Sequence, residues 1–240
     1  MRFLVLLLFA FPALAEIPLA ERRSGYEGMG RETRAMQDDD ATNPAMFWVL
    51  EGEALFKKKE ASGKACSDCH STLKGAAARY PAPDAKSGRL LNLEQRINSC
   101  RTERMDAPAY AYESRELLSL TAYVAKQSRG MPIDVQPSEA GKKFFALRQG
   151  QLNLSCAQCH DERWGKKLAG TPIPQGHPNG YPLYRLEWQS LGSLQRRLRN
   201  CLTGMRAETF PFGAPELVEL EAYLMWRSRG MKMESPAVRP

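Results

Sequence analysis

Apolar residues recur at helical spacing in two stretches about 100 residues apart. Leu117, Leu120 and Val124 form one stripe; Leu217, Leu220 and Leu224 form the other. They predict amphipathic helices over about 114–128 and 215–228. Gly130 and Gly230 stand where C-terminal caps belong, and Pro215 suits a first helical turn. Upstream, helices are predicted over about 46–59 and 137–149, with shorter ones over about 92–101 and 193–202. Asn92 and Gln95 give the first short helix a capping-box start. The pattern predicts no strands.

The two sets of helices belong to a repeat. Gly52-Glu53-Ala54-Leu55-Phe56 matches Gly141-Lys142-Lys143-Phe144-Phe145. Asn92 to Cys100 matches Ser193 to Cys201, and Leu117 to Met131 matches Leu217 to Met231. The second half carries an insert of about ten residues, within a Gly- and Pro-rich stretch from Asp161 to Trp188 that is expected to be a long loop. Residues 16–45 are polar, with an acidic run at Asp38-Asp39-Asp40. They read as an extension that wraps the first half or meets a partner.

Between the first and second helix of each half lies a C-x-x-C-H motif: Cys66-Ser67-Asp68-Cys69-His70 and Cys156-Ala157-Gln158-Cys159-His160. This is the attachment site of a c-type haem, with two thioether cysteines and a histidine as the proximal iron ligand. Helices packed around a haem make a class I cytochrome c domain. The expected fold is therefore all-α: two tandem class I cytochrome c-like domains, over 46–133 and 134–240, behind the extension at 16–45. Two covalently bound haem c groups are expected, through Cys66, Cys69, Cys156 and Cys159, with His70 and His160 on the irons.

The start of the chain agrees with that chemistry. Arg2 precedes an apolar run from Phe3 to Leu14, which ends in Ala13-Leu14-Ala15. That pattern is a secretory signal peptide over residues 1–15, too short to span a bilayer comfortably. Bacterial haem c is attached outside the cytoplasm, so the periplasm is the expected compartment, with no membrane insertion. Net charge is +7, or +6 without Arg2. A basic surface suits acidic proteins or anionic substrates; nucleic acid is not an expected partner in the periplasm.

The motifs leave Cys100, Cys201 and His177. His177 has no counterpart in the first half and reads as a surface residue or a haem ligand. Met105 and Met205 recur, as do Met131 and Met231, and methionine is a common sixth ligand of haem c. Cys100 and Cys201 recur equally well. They are candidates for thiolate ligation of the first and second iron, which would favour the ferric state. A disulfide between them is the extracellular alternative.

The halves differ in charge. From Leu93 to Met105 the charged residues are Glu94, Arg96, Arg101, Glu103 and Arg104; from Leu194 to Arg206 they are Arg196, Arg197, Arg199 and Arg206. The second window has no acid, and a cationic setting stabilises a thiolate and draws in anions. Arg197 lies four residues before Cys201, on the same helix face. Cys201 is thus the expected reactive cysteine and Arg197 the expected substrate contact. Arg96 stands in the same relation to Cys100, so both arginines are also candidates for pairing with a haem propionate.

The chain resembles the SoxA family, the dihaem subunits of the SoxAX cytochromes of bacterial sulfur oxidation. The matching stretches are Arg23-Ser24-Gly25-Tyr26, Ala35-Met36-Gln37-Asp38-Asp39-Asp40, Asn43-Pro44, both C-x-x-C-H motifs, Asn98-Ser99-Cys100, Arg197-Leu198-Arg199-Asn200-Cys201 and Ser228-Arg229-Gly230-Met231. The resemblance implies an L-cysteine S-thiosulfotransferase, which joins thiosulfate oxidatively to a cysteine of a SoxYZ-like carrier. It implies His/Cys ligation of both haems, Cys201 as the catalytic cysteine that carries a persulfide or sulfur adduct, and Arg197 as the substrate arginine. It also implies a SoxX-like monohaem cytochrome subunit and a soluble cytochrome c as electron acceptor. The alternatives are a thiosulfate dehydrogenase forming tetrathionate, a plain dihaem electron carrier with His/Met haems, and a dihaem peroxidase, which would need an open haem face.

Overall fold

Both apolar stripes become helices: Ser114 caps the first with its side chain, and Pro215 opens the second, which has no side-chain cap. Ser114, Ser138 and Ser193 accept hydrogen bonds from backbone N–H groups in the first turns they cap, and Asn92 and Gln95 form the expected reciprocal box. The computed structural model describes residues 17–240; the leader expected over 1–15 lies outside them. In chain order the helices are α1 (Arg31–Asp38), α2 (Met46–Lys57), α3 (Leu93–Arg104), α4 (Arg115–Lys126), α5 (Glu139–Ala146), α6 (Cys156–His160), α7 (Leu194–Gly204) and α8 (Pro215–Arg227). No described helix is long and apolar enough to cross a membrane.

The fold is mostly helical, but the absence of strands does not hold. Short strands occur as β1 (Ala82–Pro83), β2 (Leu90–Leu91), β3 (Lys167–Leu168), β4 (Thr171–Pro172), β5 (Leu183–Arg185), β6 (Ser190–Gly192) and β7 (Ala237–Arg239). At two or three residues each they are too short to show an alternating pattern. β1–β2 and β5–β6 are equivalent antiparallel hairpins, in which Ala82 faces Leu91 and Leu183 faces Gly192. The expected long loop contains a further hairpin, β3–β4. β7 adds to β5 in parallel.

In each half the first and last long helices cross at a glycine. A Cβ on Gly52 would lie 2.0 Å from the Ser119 carbonyl oxygen, and one on Gly141 2.0 Å from that of Glu219. Only glycine lets α2 approach α4, and α5 approach α8, this closely. Phe56 packs against Tyr123 at one crossing and Phe145 against Tyr223 at the other, with tilted rings and centroids 5.3 Å apart in both.

The halves meet about a pseudo-two-fold axis. Gly130 N–H donates to Met233 O (2.8 Å) and Gly230 N–H to Ile133 O (2.9 Å); Ile133 and Met233 donate to Met231 O and Met131 O, both at 2.9 Å. The two S-R-G-M segments thus pair with each other. Beneath them lies a cavity of about 50 Å³ lined by Leu93, Leu194, Glu94 and Glu221.

The extension reaches further than the first half. Asp40 pairs with Lys126 and with Arg129 (2.6 Å) there. Most of its bonds go to the second half: Arg23 N–H to Gln175 (2.7 Å), Asn43 Nδ2 to Pro236 O (3.1 Å), and Gln37 Oε1 from Val238 N–H (3.1 Å). It straddles both, because β7 places the end of the chain beside α1.

Candidate haem and thiol site

The two C-x-x-C-H motifs form short helical turns, Cys66–Asp68 and α6. All six cysteines are free. Cys100, on α3, is close enough to Cys66 and Cys69 for their thiolates to repel, and Cys201, on α7, stands in the same relation to Cys156. Each spare cysteine therefore belongs to its own half rather than to a shared disulfide. Burial pushes the Cys100 thiol up, with Arg96 opposing it.

His160 is set as a ligand. Its Nδ1 lies 2.7 Å from Pro174 O; a carbonyl can only accept, so Nδ1 carries the proton and Nε2 is free for a metal. Burial holds its pKa down, so the ring is neutral. Phe145 packs beside it, with centroids 6.4 Å apart. Paired thiols, a neutral imidazole with one free nitrogen and an apolar flank fit a haem c. His70 is exposed, and its ring makes no hydrogen bond among the described residues.

His177 is neither a surface residue nor placed as a sixth ligand. It lies near His160, with Nδ1 3.0 Å from Ser228 Oγ and Nε2 3.2 Å from Gln175 Oε1. Arg23 N–H already marks that Gln175 atom as the oxygen, so Nε2 donates to it, and Nδ1 shares the one Ser228 hydroxyl proton with Leu224 O, 2.8 Å from Ser228 Oγ. Burial drives the His177 pKa down to about 3, which keeps it neutral. Gln175, 1% exposed, also donates to Glu21 O at 3.1 Å. Sequence reasoning missed this lock. Its only signal was a histidine and a glutamine next to Pro174 in an insert-bearing loop.

The repeated methionines have structural positions. Met131 and Met231 sit in the paired segments between the halves. Met205 is buried with Leu202 and Leu217, and Met105 Sδ lies 3.6 Å from Cys66 Sγ, on the attachment side.

The two equivalent arginines differ. Arg96 Nη2 meets Asp84 Oδ1 at 2.7 Å; bonds from Ser87, and then from Arg96, hold Asp84 down to about 2. Arg197, on α7 with Cys201, forms no hydrogen bond or ion pair among the described residues. Its neighbours are engaged: Arg196 lies 4.2 Å over the Trp188 ring and 3.9 Å from Glu113, and Arg199 donates to Phe210 O and covers Phe212 at 4.6 Å. Tyr181 feels both Arg197 and Cys201, and its burial raises the phenol to about 12. It is a neutral hydroxyl beside them.

A family of SoxA/TsdA cytochrome c domains matches residues 51–133 and 140–233. The chain belongs to the SoxA family. It is 37% identical over 235 residues to the L-cysteine S-thiosulfotransferase subunit SoxA of Pseudaminobacter salicylatoxidans, covering 92% of this chain and 82% of that one. It is 37% identical over 231 residues to the subunit of the same name from Rhodovulum sulfidophilum, covering 91% and 80%. The crystal structure of SoxXA from P. pantotrophus superposes with a TM-score of 0.87 at 32% identity, over 91% of this chain and 87% of that one.

Proposed function

We propose that this chain is an L-cysteine S-thiosulfotransferase subunit whose chemistry takes place at Cys201 in the second half, residues 134–240. It works with a SoxX-type cytochrome partner in the periplasm, after cleavage of residues 1–15. Relatives that cover most of the chain and carry this activity in their names support it over tetrathionate formation or plain electron carriage. Both C-x-x-C-H motifs are complete, so the reading assigns a haem c to Cys66, Cys69 and His70 and another to Cys156, Cys159 and His160. Cys100 and Cys201 would supply the thiolates that ligate the two irons.

When bound, the haem supplies an iron that accepts electrons one at a time. The residues do the rest. The Cys201 thiolate forms an S–S bond to the sulfane sulfur of thiosulfate, and two electrons leave. Arg197 neutralises the sulfonate. A thiolate of a SoxYZ-like carrier then attacks the sulfane sulfur and takes the S-thiosulfonate, and the Cys201 thiolate departs. Overall, a carrier thiol and thiosulfate give the conjugate, one proton and two electrons. The partner cytochrome and a soluble cytochrome c would take up the two electrons.

The observation that carries this reading is the contrast between Arg96, paired with Asp84 at 2.7 Å, and Arg197, which has no acid, one helical turn before Cys201. Intact mass with ferric EPR tests it. The expected result is mass for two haems, axial-thiolate spectra, and any extra sulfur on Cys201. Sulfur adducts confined to Cys100 would overturn it.

A further inference from the structure

The hairpins before the two arginine helices share a fold and a register, but one charge is reversed. Tyr80-Pro81 leads into β1–β2, and Tyr181-Pro182 leads into β5–β6. Pro83 faces Leu90 in the first, and Tyr184 faces Leu191 in the second. The next residue is Asp84 in the first half and Arg185 in the second. Asp84 holds Arg96. At the same place beside Arg197 the chain puts a second guanidinium.

Arg185 is fixed there. Its side chain is 14% exposed, its Nε donates to Pro240 O at 2.9 Å, and it lies 5.2 Å over the Trp188 ring. Its acidic neighbour, Glu187 at 3.0 Å, is 65% exposed, so water screens that pair. Burial and then the Arg197 charge disfavour the Arg185 cation, while Tyr181, Glu187 and Cys201 favour it. Arg185, Arg197, Tyr181 and Cys201 share one local field, with Glu187 at its exposed edge. Two half-buried guanidiniums without an acid between them repel, and an anion bound between them relieves the repulsion. Thiosulfate carries two negative charges, which suits two arginines better than one.

We propose that Arg185 is a second substrate-binding arginine at the second haem, holding the sulfonate end of thiosulfate together with Arg197. The inference rests on the reading of Arg197 and Cys201 given above. It explains why only the second half is an anion site: in the first, Asp84 already fills that role.

The test uses the purified complex with its SoxX-type partner. Arg185→Asp, which restores the first-half pair, should raise the KM for thiosulfate about tenfold or more, with kcat changed by about twofold or less. Arg185→Lys should recover much of the loss, and Asp84→Arg should leave KM unchanged. The ferric EPR spectrum of thiosulfate-free Arg185→Asp should match that of the parent. An unchanged KM overturns the proposal. So does a raised KM with an altered resting spectrum, which would assign Arg185 to a haem propionate. Arg197→Gln separates the two readings. If it raises KM and Arg185→Asp does not, only Arg185 is misassigned; if neither does, the anion site itself is wrong.

Discussion

Asp84 and Arg185 occupy the same position in two equivalent hairpins, and their opposite charges divide the molecule's two halves chemically. Beside Asp84, Arg96 is neutralised at 2.7 Å. In the half that carries Arg185, Arg197 has no acid partner among the described residues. One duplicated fold thus neutralises this arginine in one half and not in the other.

Arg197→Gln should weaken substrate handling, with kcat/KM for thiosulfate lower by about 10- to 100-fold, since a charge-assisted contact contributes on the order of 1.5–3 kcal/mol. Arg96→Gln should change it by less than about twofold. Steady-state kinetics on the two variants checks the contrast.

The glycine crossings should tolerate no side chain. Gly52→Ala and Gly141→Ala each put a methyl about 2.0 Å from a carbonyl oxygen of the facing helix. Each should cost about 3 kcal/mol or more by forcing the helices apart. Thermal melting followed by circular dichroism reads the loss, which a Gly28→Ala control, with open space around it, should not show.

Much of this was legible in the sequence, for definite reasons. Helix starts and stops, the paired motifs and the equivalence of Cys100 with Cys201 are local patterns with fixed spacing. Arg185 was visible only by aligning the hairpins, and strands of two or three residues give no periodic signal. The Gln175–His177 lock was not legible, because Glu21 and Arg23 reach it across about 150 residues. The straddling course of the extension depends on β7, whose partner β5 lies about 50 residues earlier.

The seam between the halves should make stability pH-dependent. Burial, with Glu113 adding to it, raises the Glu94 pKa to about 7, and burial with Glu94 raises that of Glu221. Both folded-state values lie above the unfolded one. The folded protein therefore holds protons that the unfolded chain has lost above about pH 4.5, and stability falls as pH rises from there through about 7. The loss is on the order of 3 kcal/mol for Glu94. Melting temperature against pH should show this decline, and Glu94→Gln should flatten it.

The Gln175–His177 lock predicts a local effect. Gln175→Ala leaves Arg23 N–H and the His177 Nε2–H without their acceptor, a loss of about 1–3 kcal/mol for a buried site. The melting temperature should drop, and the ferric EPR lines of the second haem should broaden while those of the first stay sharp. Equal broadening of both would contradict the lock.

The most direct test of the central claim is thiosulfate turnover by Cys201→Ala, with haem content measured on the same sample. The account predicts two attached haems and activity lower by at least about 1000-fold, as expected when a covalent nucleophile is lost, while Cys100→Ala stays active. Normal turnover in Cys201→Ala with both haems in place would contradict it.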